Sequence, residues 1–140
     1  MEKPASIAII PEGTALVVSH DAGGAEILSS LLKLKDIPYL SCLAGPAVKI
    51  FQRKLGNIDN YSLEEGIGLV DWVLTGTSWA SDLEYQAIRH SKNNQTYVIS
   101  YLDHWVNYRE RFSWHGPSIF PDEIWVGDSD ALELAKSLFI

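Results

Sequence analysis

The segment Leu102-Asp103-His104-Trp105-Val106-Asn107-Tyr108-Arg109-Glu110-Arg111-Phe112 gathers a carboxylate, an imidazole, an indole, an amide, a phenol and two guanidiniums. It follows directly on the β-type run Thr96-Tyr97-Val98-Ile99-Ser100-Tyr101. A histidine beside a carboxylate suits general acid–base work near neutral pH. Arg109 and Arg111 have the planar fork that clamps a phosphate or carboxylate. The faces of Trp105 and Tyr108 offer stacking surfaces for a sugar or a base. The plainer reading of the same residues is a turn capped by Asp103, a packed His104, and an arginine pair solvated beside Glu110.

Two other segments hold similar chemistry. In Ser19-His20-Asp21-Ala22-Gly23-Gly24-Ala25, the paired glycines let a ligand approach the backbone ahead of a helix start, where free N–H groups attract anions. The alternative is a tight turn with Asp21 as helix cap. In Thr75-Gly76-Thr77-Ser78-Trp79, hydroxyls beside a glycine can hold a phosphate or sugar oxygen, or simply cap the next helix. Ser78 lacks the G-x-S-x-G elbow of an activated nucleophile. Asp103 and His104 are neighbours and are expected to point apart. An acid–base pair is therefore expected across loops, as His20 with Asp103 or His104 with Asp21. His20, Asp21, Asp103 and His104 are the catalytic candidates. Gly23, Gly24, Thr75, Gly76, Thr77, Ser78, Trp79, Trp105, Asn107, Tyr108 and Arg109 are the ligand-binding ones. The glycines match neither G-x-G-x-x-G nor a Walker A loop, and no cofactor is expected. The four histidines show no H-E-x-x-H spacing and Cys42 has no second cysteine, so no metal centre is expected.

Strands and helices must position these segments. Ala15-Leu16-Val17-Val18-Ser19 reads as a strand covered on both faces. Ile27, Leu28, Leu31 and Leu32 follow at helical spacing, and Pro38 lies beyond that helix. Tyr39 to Leu43 is a second strand, Gly45-Pro46 opens a second helix and Gly56 closes it. Ile58 to Tyr61 suggests a short strand and Leu63 to Leu69 a helical turn. Trp72 to Thr75 is the next strand. Ser81-Asp82-Leu83-Glu84 matches a capping box at the head of a helix reaching about Lys92. Thr96 to Leu102 and Glu123 to Val126 are further strands, and Ala131, Leu134, Ala135 and Leu138 mark a final helix. This alternation predicts an α/β fold, a three-layer Rossmann-like open parallel sheet with helices on both faces. Residues 15–140 are expected to form one domain, and 1–14 an arm or an edge strand. In such a sheet ligands bind outside the carboxyl ends of the strands, where all three segments fall.

Composition narrows the classes. The chain has 140 residues, 46% of them hydrophobic, with a net charge of -7. That acidity argues against a general nucleic-acid binder, which needs a basic face. No apolar run approaches the roughly 20 residues that span a bilayer. Met1-Glu2-Lys3-Pro4 is polar with no adequate apolar run behind it, so no signal peptide is expected. The single Cys42 precludes an internal disulfide and fits a cytoplasmic address, and its apolar run predicts a buried structural thiol.

Three stretches carry a resemblance: the strand running into Asp21-Ala22-Gly23-Gly24, Asp71-Trp72-Val73-Leu74-Thr75-Gly76, and Phe120-Pro121-Asp122-Glu123-Ile124-Trp125-Val126-Gly127-Asp128 with Ala131-Leu132-Glu133-Leu134-Ala135 after it. With these the chain resembles the N-terminal Rossmann-like domain of GT-B-fold glycosyltransferases, including relatives of the UDP-N-acetylglucosamine 2-epimerase type. The resemblance implies an acceptor-side domain of a glycosyltransferase or nucleotide-sugar-modifying enzyme, of the kind used in polysaccharide biosynthesis. It implies a sugar, sugar phosphate or nucleotide sugar as ligand, and a second domain or partner subunit to complete the site. It also sets the Gly23-Gly24 turn and the Asp103-His104 loop facing the interdomain cleft. The competing readings are a free-standing small-ligand or anion-binding module, and a small acid–base enzyme built on His20, Asp21, Asp103 and His104.

Overall fold

A computed structural model describes residues 10–77, 81–102 and 119–126. Five strands form one sheet: β1 (Ala15–Ser19), β2 (Tyr39–Leu43), β3 (Trp72–Thr75), β4 (Tyr97–Leu102) and β5 (Glu123–Val126). Their order is β2-β1-β3-β4-β5, and every pairing is parallel. The helices are α1 (Ala22–Lys35), α2 (Pro46–Leu55), α3 (Leu63–Ile67) and α4 (Leu83–Asn93). The expected Rossmann-like α/β architecture is thus present. None of the described helices is long and apolar enough to cross a membrane.

Side chains alternate along each strand, so β1 feeds two cores. Leu16 and Val18 join Cys42, Val73, Val98 and α4 residues Ala87 and Ile88 on one face. Ala15 and Val17 join Trp72, Leu74, Ile99, Leu28 of α1 and Phe51 of α2 on the other. Fully burying one such large side chain contributes about 1.5–3 kcal/mol, and both faces of the central strands are closed this way. Trp72 is buried, as its strand position predicts. Trp125 tilts against it with ring centroids 6.5 Å apart. Cys42 is also buried, and loss of hydration, followed by the nearby Glu84 charge, pushes its thiol up to about 11. It stays a neutral packing group.

Helix ends follow local chemistry. α1 stops at Asp36, which adopts left-handed backbone with φ 52°, while Lys33 and Lys35 complement the dipole of the last turn. α2 begins with Pro46 after Gly45 and ends at Gly56. The S-x-x-E motif occurs twice, with two outcomes. Ser62 and Glu65 form the reciprocal capping box of α3. The box expected at Ser81 and Glu84 does not form: Asp82 is the N-cap of α4, Ser81 Oγ accepts from Leu83 N–H at 3.1 Å, and Glu84 turns inward. The difference is burial, because Glu65 is exposed and Glu84 lies beneath the tip of β1.

The short strand expected at Ile58 to Tyr61 reduces to one parallel bridge, Ser41 to Asn60, on the outer side of β2. The Asn60 side chain takes over the ladder: Leu43 N–H donates to Oδ1 at 2.6 Å and Nδ2 donates to Leu43 O at 2.8 Å. With that bridge taken as a strand position, the order becomes 3-2-1-4-5-6, the doubly wound Rossmann arrangement. Asn60 thereby covers an open sheet edge. Replacing it, Asn60→Ala, is expected to cost about 1–2 kcal/mol in urea unfolding and to leave the loops at the opposite side of β1 unchanged in amide spectra.

Candidate functional site

The chain leaves β1, lays β2 on one side, and returns to place β3 on the other. The carboxyl ends of β1 and β3 therefore diverge at a topological switch point, the usual ligand crevice of an open α/β sheet. Main-chain bonds stitch the loops there. Ala44 N–H donates to Ser19 O, Ala47 N–H to His20 O, and Gly76 N–H to Val18 O. The tip of β1 is thus held from both flanks before any side chain contributes.

His20 and Asp21 stand on this tip. His20 Nδ1 lies 2.7 Å from Asp21 Oδ1, with both side chains part-exposed. The pairing is between chain neighbours, where the sequence suggests pairing across loops. Asp21 occupies the N-cap position of α1 in extended backbone, yet its side chain makes no capping bond. Its carboxylate holds the imidazole instead. With Nδ1–H donating to Asp21, Nε2 carries the lone pair that can accept a proton. The ring is seated on Gly45: a Cβ placed there would lie 2.5 Å from His20 Nε2. Gly45 also has φ +56°, a backbone that favours glycine.

Beneath the pair lies Glu84, at the start of α4 and only 3% exposed. Its Oε2 accepts the His20 main-chain N–H at 3.0 Å. Its Oε1 is buried and meets no hydrogen-bond partner among the described residues. Burial pushes this carboxyl up to about 7, and the Asp21 charge pushes the same way, while main-chain donors and His20 pull it down. In the sequence, the S-x-x-E spacing disguises Glu84 as a cap, and Gly45 stands out only as the residue before a helix. Neither signal points at His20, because the contacts join residues far apart in the chain.

The other sequence candidates divide. Gly23 and Gly24 lie inside the first turn of α1, not in a turn before it. Gly24 is buried and faces Gly76, so it permits helix and loop to approach; Gly23 is exposed. Thr75 is buried and fully engaged, donating to Gly76 O at 2.8 Å and pairing with Ser100 Oγ at 2.6 Å. Gly76 and Thr77 are buried beside it. Ser78, Trp79, Asp103, His104, Trp105, Asn107, Tyr108 and Arg109 lie outside the described residues. β4 ends at Leu102, at the same edge of the sheet as β1 and β3. The described site is therefore an oriented imidazole, a buried carboxyl and a helix N-terminus with no acidic residue in its first turn. It can accept a proton from a bound hydroxyl and place main-chain N–H groups near an anion. Comparison with known protein families and with curated proteins finds no match to this chain.

Proposed function

We propose that the chain is the acceptor-side domain of a GT-B-type sugar-transferring or nucleotide-sugar-modifying enzyme. A second domain or partner subunit completes its site, and the protein works in the cytoplasm. The His20–Asp21 pair at the switch point carries this reading, because it supplies an oriented base where a sugar hydroxyl would enter. In transfer, His20 Nε2 takes the proton of the acceptor hydroxyl. The hydroxyl oxygen bonds to the anomeric carbon as the bond from that carbon to the nucleotide phosphate breaks, and the nucleotide leaves with the electron pair. Asp21 steadies the imidazolium. The sequence resemblance assigns the Asp103-His104 loop to the same crevice.

A ligand-shift titration with nucleotide sugars and sugar phosphates tests the reading. Amide shifts are expected at His20, Gly23, Gly24 and Gly45, and His20→Ala should weaken the response roughly tenfold. Silence at all four positions with every sugar ligand would overturn it. The uncapped N-terminus of α1 favours a second reading, a free-standing anion-binding module. Inorganic phosphate alone would then produce the full set of shifts, and the sugar would add nothing.

A further inference from the structure

We propose that Glu84 is a positioning residue that governs the His20–Asp21 pair through the main-chain N–H of His20. Three observations carry this. Glu84 Oε2 takes that N–H at 3.0 Å, across a separation of 64 residues. The side chain is 3% exposed, and it puts a carboxyl on the core-facing stripe of α4 that it shares with Ala87, Ile88 and Ser91. Its second oxygen is buried with no partner among the described residues. A carboxyl serving only to cap the helix would stand at its third position and face outward, as Glu65 does after Ser62, whereas Glu84 stands at the second position after Asp82. Leaving a buried polar atom unpaired opposes folding, so the inward rotamer gives the β1 tip an anchor at the expense of stability.

The surroundings make the anchor responsive. The charged groups facing Glu84 are His20 and Asp21, from the loop between β1 and α1. Cys42 of β2 also feels Glu84 but holds its proton well above neutrality. From β3 and its following loop, Thr75, Gly76 and Thr77 contribute no titratable group. When Glu84 is neutral, Asp21 is the only negative charge beside the imidazole among these groups. When Glu84 ionises, a second negative charge sits on the His20 amide and strengthens that hydrogen bond. The tip of β1 is thus coupled to one buried proton.

This inference rests on the reading of His20–Asp21 as the working pair, and its test uses the whole chain with no ligand, so its failure is distinct from a failure of sugar binding. The Glu84 carboxyl carbon, the His20 amide and the His20 imidazole are followed by NMR between about pH 5 and pH 9. The Glu84 inflection is expected to appear in both His20 signals and to vanish from them in Glu84→Gln, whose amide oxygen can still accept the N–H. In Glu84→Ala the His20 amide should exchange roughly tenfold faster. Identical His20 titrations in wild type and Glu84→Gln would overturn the proposal. So would a Glu84 inflection with no counterpart in His20, and that wild-type result decides even if both variants fail to fold.

Discussion

Between pH 4.5 and about pH 7, Glu84 alone is expected to remove roughly 3 kcal/mol of folding stability. The sign follows from proton counting. In the unfolded chain the carboxyl ionises near its ordinary value of 4.5, while in the folded chain burial holds the proton on until about 7. Across that interval the folded state binds more protons than the unfolded state, so stability falls as pH rises. Below the interval the contribution of the neutral buried acid is complete. Above it both states are ionised, and the loss levels off. Glu84→Gln removes the titration with little change of shape. Urea unfolding of the two proteins should give curves that diverge through the interval, with the variant more stable by about that amount at pH 8. Other carboxylates titrate in both proteins and cancel in the difference. A constant difference at every pH would show that folding leaves the Glu84 ionisation unshifted.

Gly45→Ala is expected to cost about 2–3 kcal/mol and to unseat His20. Two effects combine. At φ +56° and ψ -142° the Gly45 backbone lies where side-chain-bearing residues are strained. The added methyl would also lie 2.5 Å from His20 Nε2. The imidazole must swing away, and the 2.7 Å contact with Asp21 is lost with it. Gly56→Ala is the control, because Gly56 has φ +84° but a methyl added there would meet no atom within 4 Å. It should show backbone strain and no change in the His20 signals. Thermal unfolding measures the stability loss, and the imidazole resonances report the pair. If Gly45→Ala leaves those resonances where they are, the ring does not rest on this glycine.

Much of the fold can be read along the chain, because its signals are local. The apolar run at Ala15 to Ser19, the Gly45-Pro46 helix start and the Glu123 to Val126 strand each depend on a few consecutive residues. Apart from the strand expected at Ile58 to Tyr61, which is a single bridge, the expected order of strands and helices over the described residues therefore matches the structure. The site is legible only in its location. His20 and Asp21 stand out as residue types, but their mutual contact depends on the rotamers adopted at the tip of β1. Asp21 is at the cap position and does not cap. The hydroxyl of Thr75, a ligand candidate from its neighbours, is absorbed by Ser100 on the adjacent strand. Glu84 shows the limit best: at 62–65 and 81–84 the same four-residue pattern occurs, and only the first is a capping box.

What the sequence determined by itself was the alternation of strands and helices, and hence the end of the sheet where His20 and Asp21 stand. Hydrophobic periodicity and turn chemistry act over a few residues, so they survive in a linear reading. Tertiary structure decided the partners: Gly45 under the imidazole, Glu84 on its amide, Ser100 on Thr75. Burial and hydrogen bonding between distant segments set those contacts. The low dielectric they create then holds the proton on Glu84.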